Sequence, residues 1–231
     1  MIEFIVVSIF LGIILVFIHF FCDRIHINIS AHKMKTASFT AGIFVTYFFL
    51  HLMPEIYKGD ITTTKFALLF GLIGFTLFHI VEKHTYKKTR GYSLKRRLGT
   101  EHSIAFFLYH LVIGIVIVNL LRIDLLNGVL FFIPIMLFTA ISSLSLKGIH
   151  DVIVSNRLFR TLLSISTLVG IVFALFLTLT PIVYFSVFGF IIGSLIYVLV
   201  MDAIPKEREG SPLFFLIGVV IYSIIIILTV F

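Results

Sequence analysis

The chain has 231 residues, of which 60% are hydrophobic and 13% are charged, and its formal net charge at pH 7 is +7. So little polar surface cannot coat a water-soluble globule, which excludes a soluble domain and predicts an integral membrane protein. The positive charge therefore needs no nucleic acid partner, and the single cysteine, Cys22, excludes an internal disulfide and a cysteine-based zinc site.

Long apolar runs follow one another along the chain, and a helix needs about 20 apolar residues to cross the hydrocarbon core of a bilayer. The first run carries Glu3 and lacks a basic leading segment, so it is predicted to be a retained span and not a signal peptide. The sequence predicts one all-α transmembrane domain, 1–231, with eight spans at 2–21, 37–56, 65–81, 103–121, 125–146, 158–179, 182–201 and 213–230.

Lysine and arginine are concentrated on one side of the predicted bilayer. Of the 18 residues of these two types, only Lys58, Lys65 and Arg122 fall in connections on the opposite side. Cytoplasmic loops carry such an excess, so the protein is predicted to lie in the cell membrane with both termini outside the cytoplasm. The basic cytoplasmic loop 82–102, with its charges from Lys83 to Arg97, is expected to lie against anionic lipid headgroups.

Two stretches 151 residues apart share one spacing, GIFVTYFFLHLMPE from Gly42 and GSLIYVLVMDAIPK from Gly193. Each precedes a helix with similar letters, LFGLIG ending at Gly74 and FFLIG ending at Gly218. The copies are the second and seventh spans, which cross in opposite directions, so the repeat is inverted. This predicts a 3+2+3 arrangement, in which a first repeat, 1–81, and a second repeat, 156–231, surround two central helices, 103–155.

The second span ends in HLMPE, from His51 to Glu55, and the third ends in IVEK, from Ile80 to Lys83. Together with the basic loop and the proline-containing exit of the seventh span, these features resemble the ZIP family of divalent metal transporters along essentially the whole chain. The resemblance implies eight helices with outward termini and transport of zinc, iron or manganese toward the cytoplasm. The metal is then the substrate, and no resident cofactor is expected.

The resemblance places the metal site on the fourth and fifth spans, where the family usually has His-Asn-x-x-Asp/Glu-Gly and His-x-x-x-Glu-Gly. The matching stretches here are YHLVIG, ending at Gly114, and SLSLKG, ending at Gly148. In this register, a hydrophobic residue and a lysine stand where the family has carboxylates. The predicted metal or pseudo-metal site comprises Tyr109, His110, Ile113, Ser143 and Lys147.

Lys147 has two interpretations. Either it follows the apolar run and extends its ammonium group to the membrane interface, or the fifth helix continues and the ammonium group lies deeper, facing the fourth helix. In the second case, the ammonium group replaces the bound metal and repels a divalent cation. The protein would then be a non-transporting ZIP-like protein with a regulatory or other-solute role.

His51 and Glu55 are four residues apart and can share a helical face, so they form a candidate cation site at the outer mouth. The alternative is a helix end with polar residues among the lipid headgroups. Together with His51, the other histidines within or at the ends of spans, His19, His79 and His110, leave a membrane haem protein as a distant alternative. No enzymatic pattern is recognisable, so no catalytic residue is expected, and a homodimer stays open.

Overall fold

The computed structural model describes residues 2–22, 30–88, 91–145, 157–200 and 210–230. No strand occurs in these segments, which confirms the prediction of an all-α protein. Helices suit these apolar sequences because they satisfy their own backbone hydrogen bonds, as a bilayer requires. The described segments form α1 (Ile2–Cys22), α2 (Ser30–Tyr47, continued by a π-helical turn, Phe48–Leu52, and a last α-helical turn, Met53–Ile56), α3 (Ile61–Lys88), α4 (Gly91–Ile123), α5 (Leu125–Ser145), α6 (Arg157–Leu175), α7 (Pro181–Val198) and α8 (Pro212–Val230).

Several of these helices are long and apolar enough to cross a bilayer, which indicates a membrane protein. Within the described segments there are five such stretches: Glu3–Phe20, Met34–Ile56, Ile61–Val81, Pro181–Val198 and Pro212–Val230. Shorter apolar stretches lie in α4, α5 and α6, at Phe107–Ile123, Leu125–Ala140 and Ser164–Leu175.

Two helices extend beyond the apolar runs that predicted them. α3 continues to Lys88 and α4 begins at Gly91, so most of the predicted loop 82–102 is helical. The end of an apolar run does not end a helix, because the backbone hydrogen bonds continue within the segment when it enters water.

α6 ends earlier than predicted, at Leu175, where an arginine from another helix satisfies its last carbonyl groups. The guanidinium group of Arg122, at the end of α4, donates hydrogen bonds to the carbonyls of Leu177, Ala174 and Leu175, at 2.6, 2.7 and 3.1 Å. A cation is favourable there, because the carbonyl end of a helix carries partial negative charge.

α2 pairs with α8, and the two helices run parallel. The backbone N–H of Ser211 donates to the hydroxyl of Ser38 at 2.9 Å, near the start of the pair. Further along both helices, Gly42 lies against the backbone carbonyl of Phe215, so closely that a Cβ on the glycine would strike the oxygen. Only glycine permits the two backbones to come this close.

α3 pairs with α7 in the same parallel manner. Ala67 lies opposite Gly189, and Gly71 lies opposite Gly193 one turn later. A Cβ on Gly193 would strike the carbonyl oxygen of Gly71, so the backbones are in direct contact here as well.

The centre of the bundle is apolar and closely packed. α4 packs against α6, while α1 and α5 contact each other and the neighbouring pairs. All eight described helices contribute buried apolar side chains, and the largest of those that are fully buried include Leu15, Phe44, Ile113, Ile117, Phe131, Phe188 and Tyr222. Most buried polar residues are serines and threonines, so the buried histidines and Glu55 mark the candidate functional positions.

Candidate functional site

His51 and Glu55 lie at the irregular end of α2. Pro54, between them, has no N–H, and its ring crowds the carbonyl four residues earlier, so regular α-helical bonding cannot continue there. The helix accommodates the proline with its five-residue π-helical turn, after which the N–H of Met53 bonds to the carbonyl of Phe48. Turns of this kind are frequent at functional sites.

Both members of the His51–Glu55 pair are buried, with 3% and 5% of their surface exposed. Other parts of the protein therefore cover both side chains, whereas the interpretation of a helix end among lipid headgroups stays a prediction. Tyr184 of α7 lies within range of the Glu55 charge. A buried carboxylate is costly unless it is paired, so its neighbours determine what the site can bind.

Two tyrosines surround the pair. Tyr47 stacks on the His51 ring, with centroids 5.1 Å apart and an interplanar angle of 20°. Tyr47 and Tyr184 both lie within range of the Glu55 charge, and neither forms a hydrogen bond to it. Both phenol hydroxyls and Nε2 of His51 are buried without a hydrogen-bond partner among the described residues, whereas the hydroxyl of Tyr222 donates to a backbone carbonyl of α5 at 2.7 Å. We name Tyr47, His51, Glu55 and Tyr184 the α2 polar cluster.

Buried polar atoms without a partner are rare in native proteins, and several in one place indicate a position that can accept a polar ligand. The α2 polar cluster offers an imidazole nitrogen and a carboxylate, which suit a borderline divalent cation, with two phenol hydroxyls nearby. In the segments that the structure describes, no group of three or more His, Cys, Asp or Glu residues could hold a metal ion. A cation in the cluster would therefore need phenol oxygen or water as ligands besides His51 and Glu55.

Glu55 already forms an ion pair with a lysine of the same turn. Nζ of Lys58 lies 2.7 Å from Oε2 of Glu55, and the lysine side chain is 58% exposed while that of the glutamate is 6% exposed. The ammonium group thus reaches a buried carboxylate from the surface of the protein. It offsets part of the cost of burying that charge.

The predicted site on the fourth and fifth spans is described only in part. Tyr109 and His110 are buried in α4 and contact different neighbours. The Tyr109 ring lies 6.4 Å from that of Phe78, whereas His110 packs edge-on against His19, with centroids 4.5 Å apart. Nδ1 of His110 also lies 3.2 Å from the hydroxyl of Thr167 on α6.

Of the remaining predicted residues of that site, only Ile113 has a described side chain. Ile113 is fully buried in the apolar core. Ser143 belongs to α5, but its side chain lies outside the described residues, and so does the whole of Lys147. The structure therefore brings together Tyr109, His110 and Ile113 as neighbours on one helix, without a carboxylate among them.

The positions of the described histidines test the haem alternative. Two axial ligands of one haem lie on opposite faces of the macrocycle, but the rings of His19 and His110 are in direct contact. His79 is exposed on α3, where its ring lies 5.8 Å from that of Tyr197. This geometry disfavours the haem alternative for the His19–His110 pair.

Sequence reasoning missed three residues around Glu55. Tyr47 could have been found, because it precedes His51 by four residues and so shares its helical face. Lys58 could also have been found as an i, i+3 partner of Glu55, but Tyr184 comes from a helix far away in the chain and gave no local signal. No family model, no curated protein and no solved structure matches the chain.

Proposed function

We propose that this protein is a ZIP-like multi-pass membrane protein that transports a divalent cation, and that the α2 polar cluster is its outer cation site. The observation that supports the proposal is the burial of Nε2 of His51 and two phenol hydroxyls, without partners among the described residues, around the Glu55 carboxylate. Zinc, iron and manganese are the substrates that fit a mixed imidazole and oxygen donor set. No catalytic role is proposed.

The proposed architecture is the 3+2+3 arrangement of eight crossings with an inverted repeat. In the aligned repeat, Gly42 corresponds to Gly193 and Phe215 corresponds to Gly71. The contact between Gly42 and Phe215 in the α2–α8 pair therefore has its counterpart in the contact between Gly193 and Gly71 in the α3–α7 pair. Agreement of two such close contacts supports a duplicated unit.

The π-helical turns support the same duplication. The π-helical turn of α2 begins at Phe48, and α7 passes into π-helical bonding at Leu199 and Val200. Leu199 is the repeat equivalent of Phe48. The same irregularity therefore recurs at the same position in both copies, each time before a proline of the sequence.

The proposed location is the cell membrane, with both termini outside the cytoplasm, on the basis of the lysine and arginine asymmetry. The large apolar side chains exposed along α3 and α8, among them Leu72 and Leu228, suit contact with lipid tails. The non-transporting alternative depends on Lys147, which lies outside the described residues, so no observation favours it over transport.

Uptake of radioactive zinc, iron and manganese into proteoliposomes tests this function. We expect saturable uptake of at least one ion by the native protein, and a loss of at least about tenfold in His51→Gln and in Glu55→Gln, because each removes a ligand without changing the side-chain volume much. His84→Gln is the matched control, since His84 is exposed near the end of α3.

Two results would count against the proposal in different ways. Absence of binding and uptake of all three ions by the native protein would exclude divalent cation transport. Native-like uptake in both site variants would instead exclude the α2 polar cluster as the cation site.

A further inference from the structure

The Lys58 ammonium group occupies the side of Glu55 that faces the surface. From its distance of 2.7 Å to the carboxylate and its open position, we infer that Lys58 is a specificity-determining residue, an internal competitor that an entering cation must displace from Glu55. This inference rests on the proposed function. It adds a reason for the α2 polar cluster to take divalent cations in preference to monovalent ones.

The two partners differ in their freedom to move. The Lys58 side chain is 58% exposed, so its ammonium group can leave Glu55 and be hydrated at once. The Glu55 side chain is 6% exposed and is enclosed by neighbouring helices, so it stays in the cluster. When the lysine is displaced, the buried carboxylate becomes available to a new cation. The ammonium group is already largely exposed, so water replaces its lost contact with Glu55.

The backbone of the turn is held in place, which limits the movement to the lysine side chain. The N–H of Tyr57 donates to the carbonyl of Pro54 at 3.0 Å, and the N–H of Lys58 donates to the carbonyl of Glu55 at 3.2 Å. The hydroxyl of Thr64, in α3, donates to the carbonyl of Ile56 at 3.1 Å. Rotation of one side chain, without opening of the turn, is thus enough to free Glu55.

Charge decides which cations can compete with the tethered ammonium group. The tethered ammonium group acts at an effective concentration in the millimolar range or above. A monovalent ion carries the same charge as the ammonium group, so the carboxylate attracts it no more strongly and it does not displace the lysine. A divalent ion doubles the Coulomb attraction at the same distance. It can also take the imidazole nitrogen of His51 and the phenol oxygens of the cluster as ligands.

Removing the ammonium group should therefore tighten divalent binding and weaken discrimination against sodium. The experiment measures equilibrium binding of radioactive Mn²⁺ to the purified full-length protein, with NaCl as competitor, in native protein and in Lys58→Met and Lys58→Gln. We expect both variants to bind Mn²⁺ about 3- to 10-fold more tightly, and NaCl to compete more strongly than in the native protein.

Lys65→Met is the matched control, because Lys65 is an exposed lysine near the start of α3 and its removal changes the local surface charge equally. We expect its Mn²⁺ affinity and sodium competition to stay within about twofold of the native values. Lys58→Arg keeps the charge and should keep the native selectivity. Circular dichroism of each variant verifies that the helices are retained.

The outcomes separate this inference from the proposed function. Mn²⁺ binding by the native protein with equal or weaker binding by both uncharged variants of Lys58 would overturn the inference alone. An equal gain in Lys65→Met would also overturn it, because surface charge would then explain the effect. Absence of binding in the native protein and in every variant would overturn both proposals.

Discussion

Gly193→Ala tests whether the α3–α7 contact depends on backbone-to-backbone approach. A Cβ at position 193 would strike the carbonyl oxygen of Gly71, whereas a Cβ at position 71 would lie 3.4 Å from the carbonyl oxygen of Gly189, an ordinary contact. Overpacking of this kind costs about 1–3 kcal/mol. Alanine regains about 0.5–1 kcal/mol through its higher helix propensity, at either position.

The two substitutions should therefore change stability in opposite directions. We expect Gly193→Ala to lose about 1–2 kcal/mol and Gly71→Ala to gain up to about 1 kcal/mol, which corresponds to a Tm difference of roughly 4–10 °C between them. Thermal unfolding in detergent, followed by circular dichroism, measures both variants under the same conditions. Equal Tm values for the two variants, or a Gly193→Ala protein as stable as the native one, would refute the close approach of the helices.

Three further changes test other parts of the structure. Arg122→Gln removes the guanidinium group that satisfies the last carbonyls of α6. Thermal unfolding should show a loss of about 1–3 kcal/mol of stability, partly restored in Arg122→Lys. An unchanged Tm would contradict this capping role. Ile113→Glu buries an unpaired charge and should severely lower the yield of folded protein. Ile113→Val, the conservative variant, should cost only about 0.5–1.5 kcal/mol of stability. A well-folded glutamate variant would show that α4 is hydrated at this position. The N–H and hydroxyl of Thr63 donate hydrogen bonds to Asp60 and hold the pKa of its carboxyl group below the usual value of 3.8. The Asp60 N-cap therefore stabilises α3 fully above pH 3.8, and its contribution is lost as the pH falls through the lowered pKa of the folded state. The protection factors of the first-turn amides of α3, which correct for the intrinsic pH dependence of exchange, should therefore fall on acidification in the native protein. They should fall less in Asp60→Asn, which caps without titrating, and an identical acid response would exclude the carboxylate as its cause.

The order of the helices could be predicted because each apolar run is long. Their type could be predicted because, within a bilayer, an α-helix satisfies all its backbone hydrogen bonds within one segment. Helix ends could not be predicted as well. Gly91 begins α4 far before the apolar residues, since a helix continues wherever its backbone bonds are favourable, and α6 ends early where Arg122 meets its carbonyls. Both effects depend on polar residues that hydropathy ignores.

The candidate site shows a similar division. The spacing of His51 and Glu55 predicted that they share a face, and Pro54 between them accounts for the irregular backbone of the structure. Their burial could not be predicted, because it depends on which parts of the protein the tertiary fold brings to this end of α2. For the site on the fourth and fifth spans, the prediction for Lys147 stays a prediction.

The pairing of α3 with α7 has a consequence for the way in which the chain is made. α3 ends at Lys88 and its main partner begins at Pro181, so translation at about 5–20 residues per second leaves α3 without that partner for roughly 5–20 s. During this interval, lipid or a chaperone must cover the glycine-containing face that later receives α7. A nascent chain released before the seventh helix would expose that face permanently.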